Sequence, residues 1–326
     1  MKHLYIIGNG FDIHHHIPSR YNDFKNWLLV NDEDTYNRVI EIIGDSQPTW
    51  WNEFETNLGK ADGVKRYVET VSFENQPDYG SDDYRDRDLY AAEYEVEGSL
   101  GDLLISLKSD FQQWASELPE GDGSLSIIIE TKESIFLTFN YSLTLERLYG
   151  IPRDRILHIH GSSRDKESIV VGHGRDFDSY RNDLTDDFPD PPDKLTSNEY
   201  EQWFNEMSQT SDDYPTSQAK DAAASAIEMM RKNVSEIIAA NADFFNSLQD
   251  VDNIHIYGLS FADVDLPYLL EIVKNVDIQN TDLEISYHSE KDLEMANGFI
   301  KKIPRPRKVD FIKLDDIILH KQLRLF

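Results

Sequence analysis

This 326-residue chain contains no cysteine. That absence excludes disulfide bonds, thiol nucleophiles and the cysteine-ligated zinc and iron–sulfur sites. Long apolar runs are also missing, because no stretch approaches the roughly 20 residues that are needed to cross a bilayer. The short apolar run after Lys2 gives way to glycine and charged residues, which is not the pattern of a signal peptide. We therefore expect a soluble, cytoplasmic protein with no membrane partner.

Positive charge is scarce as well. The sequence has 32 lysine and arginine residues against 61 aspartate and glutamate residues, which gives a formal net charge of −29. A field of this sign repels nucleic-acid phosphates and anionic membranes and favours solubility. The composition therefore argues against extended nucleic acid as a partner, and the length is compatible with one large domain or two.

The N-terminal segment contains the first sign of a ligand site. Residues 4–7 form an apolar run without alternation, which is typical of a strand buried on both faces of a parallel sheet. Gly8, Asn9 and Gly10 follow, and glycine lets a backbone approach a bound group and offer its N–H groups to phosphates. The third glycine of a dinucleotide fingerprint is missing, so this motif alone fits either a nucleotide site or a plain turn. Residues 14–16, all histidine, are expected to form a loop beside the site.

Three later apolar runs each end in a polar tip, by which we mean the polar residues at the end of a predicted strand. The tips are Thr-Phe-Asn-Tyr-Ser at 138–142, His-Ile-His-Gly-Ser at 158–162 and Gly-Leu-Ser at 258–260. In an open parallel sheet, ligands bind beyond the carboxyl ends of the strands, so the tips should converge on one crevice. The alternation of strand and helix patterns predicts an α/β fold with a doubly wound, parallel, Rossmann-like sheet.

The predicted sheet is interrupted by other segments. Residues 1–30 and 126–326 are predicted to form the α/β core, and residues 31–125 a helical insertion that caps the crevice or forms an oligomer face. Residues 176–215 are rich in carboxylates and proline, which predicts an acidic, loop-rich lid within the core. A single long helix is predicted over residues 219–248.

Two side chains in the polar tips are candidates for chemistry. Asn140 cannot titrate but can donate and accept hydrogen bonds, which suits it to hold a ribose hydroxyl or to orient a water molecule. His160 is the natural proton acceptor, because histidine alone has an ordinary pKa near neutrality. His158 precedes it by two residues, so both side chains are expected to face the same side of one strand.

A metal site is the alternative that the residues leave open. His158, His160 and His173, together with Asp12 or Asp176, could supply nitrogen and oxygen ligands to a divalent ion. No His-Glu-x-x-His or comparable ligand spacing occurs, however, so we expect no metal.

The same blocks resemble a known family. Gly-Asn-Gly-Phe-Asp at 8–12, Ile-Pro-Ser-Arg-Tyr-Asn-Asp-Phe at 17–24, the 138–142 tip with Glu146 beyond it, and His-Ile-His-Gly at 158–161 look like the bacterial abortive-infection AbiH family of phage-defence proteins. This likeness spans nearly the whole chain. More remotely, the blocks resemble the NAD-binding fold of sirtuins and of sirtuin-like NAD glycohydrolases of bacterial immunity. The zinc module of protein-deacylating sirtuins needs four cysteines, so deacylation is disfavoured here.

The remote resemblance implies a sirtuin-type nucleotide site with a role for each matching residue. Asn140 and His160 would be catalytic. The residues that would bind the cofactor, NAD, are Gly8, Asn9, Gly10, Asp12, Tyr21, Thr138, Gly161, Gly258 and Ser260. Asp12 and Tyr21 depart from the usual sirtuin residues. The resemblance therefore supports the sirtuin-type fold more strongly than it supports the sirtuin mode of nucleotide binding.

Taken together, these resemblances predict a phage-defence protein that binds a dinucleotide and hydrolyses NAD to nicotinamide and ADP-ribose. Two alternatives remain, which are a non-catalytic nucleotide-binding sensor or interaction module and a metal-dependent hydrolase that uses the histidines. A phage component as trigger and a homo-oligomer are compatible with each of them. Replacement of Gly8 or Gly10 by valine is expected to weaken nucleotide binding and to leave the protein folded.

Overall fold

The computed structural model describes residues 2–44, 47–185, 191–192, 194–208 and 212–319. One six-stranded parallel sheet lies at its centre. The strands are β1 (Lys2–Ile7), β2 (Ser134–Thr138), β3 (Ile156–His158), β4 (Val251–Tyr257), β5 (Asp282–Ser286) and β6 (Lys308–Ile312). Their order in the sheet is β3-β2-β1-β4-β5-β6, and each neighbouring pair is parallel. This is the strand order of a doubly wound Rossmann-like sheet, which confirms the predicted fold class.

Helices occupy most of the remaining described chain. The α-helices are α1 (Asn9–His14), α2 (Tyr21–Asn31), α3 (Glu33–Arg38), α4 (Pro48–Asn52), α5 (Phe54–Leu58), α6 (Asp62–Glu74), α7 (Ala91–Ser116), α8 (Thr144–Tyr149), α9 (Phe177–Leu184), α10 (Ser197–Ser208), α11 (Tyr214–Glu228), α12 (Val234–Ala240), α13 (Ala242–Asn246), α14 (Leu266–Asn275) and α15 (Glu290–Ile300). A π-helix spans Val39–Ile43, and the longest 3₁₀ segment spans Asp86–Tyr90. Within the described ranges, none of these helices is both long enough and apolar enough to cross a membrane.

The sheet has a separate hydrophobic core on each face. Leu4 and Ile6 of β1 pack into a cluster that includes side chains of α14 and α15. Tyr5 and Ile7, which point the other way, pack into a second cluster that includes part of α8. Burial on both faces explains why β1 shows no alternation of polar and apolar residues.

The chain divides into two compact units. Unit 1 consists of Met1–Val30, Ser109–Val171 and Lys232–Phe326, and it contains the whole sheet. Unit 2 consists of Asn31–Lys108 and Gly172–Arg231, and its described secondary structure is helical. The roles of cap for the predicted insertion and of lid for the acidic segment stay predictions.

Two predicted segments have different secondary structure. The acidic segment 176–215 contains α9 and α10 in its described part, although Asp186–Asp190, Asp193 and Gln209–Ser211 lie outside the described residues. Some of its carboxylates are helix caps, since Asp176 accepts a hydrogen bond from the Ser179 N–H at the start of α9. The prediction of a loop-rich segment is therefore wrong for its described residues.

The predicted long helix over residues 219–248 is also wrong, because the chain there forms α11, α12 and α13. Asn233 caps α12 by accepting a hydrogen bond from the Glu236 N–H. An asparagine cap marks the beginning of a new helix, and the apolar spacing continues across that break.

Candidate functional site

The turn after β1 packs directly against the turn after β4. The Gly8 N–H donates to the Tyr257 carbonyl at 2.9 Å, and the Gly10 N–H donates to the Gly258 carbonyl at 2.8 Å. A Cβ atom on Gly8 would lie 2.6 Å from the Gly258 oxygen, and one on Gly10 would lie 2.8 Å from the Gly258 Cα. These glycines let two backbones pack in contact, so we now expect valine at either position to destabilise the fold, contrary to the expectation from the sequence.

The backbone N–H groups of Gly8, Gly10 and Phe11 in this turn have partners within the protein. Gly8 is the residue that precedes α1, and the Phe11 N–H donates back to the Gly8 carbonyl at 3.0 Å. The side chain of Asn9 also has protein partners, because its Nδ2 donates to the Ser19 carbonyl at 2.9 Å and its Oδ1 accepts from the Ser19 hydroxyl at 2.5 Å. A phosphate at this turn would therefore compete with existing hydrogen bonds.

Asp12 is a buried carboxyl group on α1, with 1% of its surface exposed. The Thr144 hydroxyl donates to Asp12 Oδ1 at 2.7 Å, and the Ser142 hydroxyl lies 2.8 Å from the Thr144 hydroxyl. Burial raises the pKa of Asp12, although hydrogen bonds from Ser142, Thr144 and Asn140 and the charge of His158 act against that rise. The sequence segment after β2 thus supplies the hydroxyl groups that hold this carboxyl.

Asn140 lies in the same network, just beyond β2. Its Nδ2 donates to the Gly8 carbonyl at 3.1 Å, and its main-chain N–H donates to the Thr138 hydroxyl at 3.1 Å. Its Oδ1 is buried and has no hydrogen-bond partner among the described residues. An unsatisfied buried acceptor costs about 1–3 kcal/mol, so this atom is a candidate for contact with a ligand.

His160 is enclosed by aromatic side chains, with 3% of its surface exposed. The centroid of its ring lies 5.3 Å from that of Phe139 and 5.5 Å from that of Tyr268. Its Nε2 atom is buried, and no described residue offers it a hydrogen bond. Burial, and then the positive charge of Lys232, hold the pKa of His160 well below its usual range. The imidazole of His160 is therefore neutral at pH 7.

His158 and His160 have different neighbours. β3 ends at His158, and the Gly161 N–H closes a turn by donating to the His158 carbonyl at 3.1 Å. His158 Nε2 lies 3.2 Å from Glu146 Oε1 on α8, whereas His160 packs on Phe139. The prediction that both histidines face one side is wrong, because strand alternation stops where the strand ends. The Glu146–His158 pair is a feature that the sequence prediction missed.

Several predicted residues gather around one recess in unit 1. It is lined by Ile7, Phe11, Asp12, Thr138, Asn140, Ser142, Thr144 and Leu145. The recess is too narrow for a water molecule, so a nucleotide would contact its rim unless the side chains move.

Other predicted residues do not line that recess. Tyr21 has its ring centroid 6.2 Å from that of Phe111, and Ser260 is exposed. Gly161, at a φ of 80°, belongs to the turn after β3, where an added Cβ would lie 2.1 Å from the Ser168 carbonyl oxygen. Their roles in binding stay predictions.

The predicted metal ligands have other partners. In unit 2, His173 Nε2 donates to the Ile227 carbonyl at 3.0 Å, and its Nδ1 accepts from the Arg175 N–H at 3.2 Å. Asp176 is occupied as the cap of α9. Over the part of the chain that the structure describes, no group of three or more histidine, aspartate or glutamate residues is placed to hold a metal. The metal-dependent alternative therefore finds no ligand set among the described residues.

The histidine run at residues 14–16 was predicted as a loop beside the site, and the structure differs at its first residue. His14 is the last residue of α1, whereas His15 and His16 form the turn after that helix. His15 is fully buried, donates from Nδ1 to the Phe11 carbonyl at 2.7 Å and accepts at Nε2 from the Tyr149 hydroxyl at 2.8 Å. Burial lowers the pKa of His15 to about 4. This histidine is a satisfied structural residue.

Comparison with known proteins places the chain in a family. No curated protein and no solved structure gives a significant match, so the remote sirtuin resemblance stays a prediction. A family model described as bacteriophage abortive infection AbiH matches residues 4–287, a range that includes the carboxyl ends of β1 to β5 and all the predicted site residues. The chain therefore belongs to the AbiH family of bacteriophage abortive infection proteins.

Proposed function

We propose that this AbiH protein is a cytoplasmic NAD glycohydrolase that releases nicotinamide and ADP-ribose in phage-infected cells. Membership of a bacteriophage abortive infection family supports the defence role. Loss of a central cofactor is a direct way to stop the growth of an infected cell. The observation that carries the enzymatic part is a pair of buried atoms, Asn140 Oδ1 and His160 Nε2, for which the described residues provide no hydrogen-bond partner.

These two atoms lie beyond the ends of neighbouring strands. Asn140 follows β2 and His160 follows β3, and the two strands pair in parallel. Leaving both atoms unsatisfied costs about 1–3 kcal/mol each, and among the buried atoms without a partner in the described chain these two belong to residues just beyond strand ends. A ligand that brings hydroxyl donors would remove this cost. The ribose of a nucleotide and an attacking water molecule are donors of that kind.

The reaction needs few groups from the protein. A water oxygen attacks the anomeric carbon of the nicotinamide ribose, and the bond from that carbon to the pyridinium nitrogen breaks. The electron pair of that bond stays on nicotinamide, which leaves as a neutral molecule and requires no acid. The proton of the water goes to His160 Nε2, which is neutral because burial depresses the pKa of His160. Asn140 Oδ1 accepts a hydrogen bond from a ribose hydroxyl and fixes the sugar.

The test is direct detection of nicotinamide after incubation of purified protein with NAD, with and without an extract of infected cells. Asn140→Ala should lower the rate by about a hundredfold or more, because it removes the group that positions the sugar. Asn297→Ala is a matched control, since Asn297 is an exposed asparagine on α15. Wild-type protein that binds NAD and releases no nicotinamide under either condition would sink the enzyme proposal.

A nucleotide sensor without turnover is the second candidate, and the β1 turn favours it. The N–H groups of Gly8 and Gly10 already donate to Tyr257 and Gly258, so this turn offers a phosphate less than the glycine motif suggests. A nucleotide held mainly through its ribose, with the phosphates in solvent, could be bound without being cleaved. Binding by calorimetry in the absence of nicotinamide release would support this candidate.

A further inference from the structure

His158 lies between two oxygen atoms at the carboxyl end of β3. Its Nε2 is 3.2 Å from Glu146 Oε1, and its Nδ1 is 3.3 Å from the main-chain oxygen of Asn140. Carboxylate and carbonyl oxygens only accept hydrogen bonds, so both ring nitrogens must carry a proton if both contacts are hydrogen bonds. The His158 ring therefore bridges a carboxylate oxygen and a carbonyl oxygen.

The Glu146–His158 pair is well shielded from solvent. The side chains of His158 and Glu146 are 12% and 11% exposed. Burial acts to raise the pKa of Glu146, but the hydrogen bond and the charge of His158 outweigh it and hold that pKa below its usual value. A charge-assisted hydrogen bond in such surroundings is stronger and better oriented than one in solvent. The pair can therefore fix the position of a third group.

Asn140 is that third group. Its main-chain N–H donates to Thr138, its Nδ2 donates to Gly8, and its carbonyl oxygen faces His158. These three contacts involve every polar atom of Asn140 except Oδ1, the atom that has no partner among the described residues. Of these contacts, only the one with His158 involves a residue that is itself held by a charged side chain, that of Glu146.

We propose that Glu146 and His158 form a positioning pair, in which Glu146 orients His158 and His158 holds the Asn140 carbonyl so that Asn140 Oδ1 faces the ligand. The inference rests on the proposed function for the contact between Asn140 and the ribose of NAD. Neither member of the pair touches the reacting atoms, so both are positioning residues and not catalytic ones.

Kinetics of nicotinamide release provide the first test. Glu146→Gln keeps the size of the side chain and one acceptor oxygen but removes the charge. We expect kcat to fall by about 10- to 100-fold while KM changes by less than about threefold, because the sugar is misaligned in the transition state rather than lost. In an Asn140→Ala background the same change should add little, since the pair acts through Asn140.

The chain offers a matched control for the removal of charge. His255 on β4 and Glu284 on β5 form a second pair, with His255 Nδ1 at 2.8 Å from Glu284 Oε1. Glu284→Gln makes the same chemical change there, and we expect it to keep the wild-type kcat. His158→Gln is the companion variant, and if it fails to fold, Glu146→Gln carries the test.

A spectroscopic readout tests the pair without any turnover. Protein labelled with ¹⁵N at asparagine side chains gives an Asn140 amide signal that is identified by its loss in Asn140→Ala. Glu146→Gln and His158→Gln should shift or broaden this signal, and Glu284→Gln should leave it in place. An unchanged Asn140 signal in both variants, or a wild-type kcat in both, would overturn the positioning role. If the wild-type protein releases no nicotinamide, the proposed NAD activity fails and the Asn140 signal alone decides the role of the pair.

Discussion

At the carboxyl ends of the strands, two neighbouring parts of the sheet differ in whether their polar groups have hydrogen-bond partners. Between β1 and β4, the backbone groups of Gly8 and Gly10 donate to the carbonyls of Tyr257 and Gly258, so the two turns satisfy each other. At the ends of β2 and β3, side-chain atoms of Asn140 and His160 are buried without a partner among the described residues. We call these parts the β1–β4 side and the β2–β3 side.

The difference shows where to look for a ligand on a sheet of this kind. Strand order alone directs attention to the β1–β4 side, because the order reverses there and open sheets bind ligands at that point. In this protein the glycines of that side allow the backbone of the β1 turn to pack against the backbone of the β4 turn. Changes on the β1–β4 side should therefore act on stability, and changes on the β2–β3 side should act on ligand binding and turnover.

The largest effect is expected for Gly10→Val on the β1–β4 side. Its Cβ would lie 2.8 Å from the Gly258 Cα, and relief of that overlap must separate two turns of the sheet. The free energy of unfolding should fall by about 3 kcal/mol or more, measured by urea denaturation. Gly298→Ala on α15 is the control, because an added Cβ there meets no described atom within 4 Å apart from its chain neighbours and the backbone of its own helix. The free energy of unfolding of that variant should rise by about 0.5–1 kcal/mol. Equal stability of the two variants would contradict a structural role for the β1–β4 side.

Acid should lower the free energy of unfolding of the protein. His15, near the β1 turn, should account for part of that loss. Burial lowers the pKa of His15 from 6.5 to about 4, so below pH 6.5 the unfolded chain binds a proton that the folded chain does not. The free energy of unfolding should then fall by about 1.4 kcal/mol per pH unit from pH 6.5 towards pH 4, and by about 3 kcal/mol in total.

Comparison with His15→Gln isolates the share of His15 in the acid effect. The raised pKa of Asp12 acts in the opposite direction, because folded Asp12 keeps its proton at a pH where the unfolded residue loses it, and this contribution is present in both proteins. Urea denaturation between pH 7.5 and pH 4.5 measures the two slopes. Identical slopes for His15→Gln and the wild type would refute the assignment.

A reciprocal pair of variants tests the two sides against each other. His160→Gln should lower nicotinamide release by about a hundredfold or more and change the free energy of unfolding by about 1 kcal/mol or less. His15→Gln should cost about 2 kcal/mol of stability at pH 7, since both His15 nitrogens have buried partners, and leave turnover close to wild type. Similar loss of turnover in both variants would mean that His160 acts through the fold and not on the ligand.

The smallest effect is expected for Thr144→Val, which removes the hydroxyl that donates to Asp12 and keeps the shape of the side chain. The free energy of unfolding should fall by about 1–2 kcal/mol, because a buried carboxyl loses a donor. Leu148 is a half-buried residue of the same helix, so Leu148→Met serves as a control for α8. A Thr144→Val protein as stable as the wild type would show that Asp12 does not depend on this hydroxyl.

The fold was largely predictable, because its signals are local. The run Leu4 to Ile7 became β1, and the polar tips at 138–142 and 158–162 follow β2 and β3. The predictions of secondary structure are wrong where one local sequence pattern is compatible with two structures. Carboxylates at 176–215 predict a loop, although Asp176 and Asp213 cap helices. Apolar spacing predicts one long helix, although it continues across the cap at Asn233.

The sequence by itself determined the parallel sheet and the residues at its strand ends, because runs of apolar residues and the polar residues after them depend only on near neighbours. Only the tertiary structure decided which of those polar atoms have partners. The decisive contacts, Gly10 with Gly258, Asn140 with Gly8 and Thr144 with Asp12, join residues more than a hundred positions apart in the chain. Satisfaction of a buried hydrogen-bonding group is a property of the whole packed fold, so no local pattern distinguishes His15, which is satisfied, from His160, which is not.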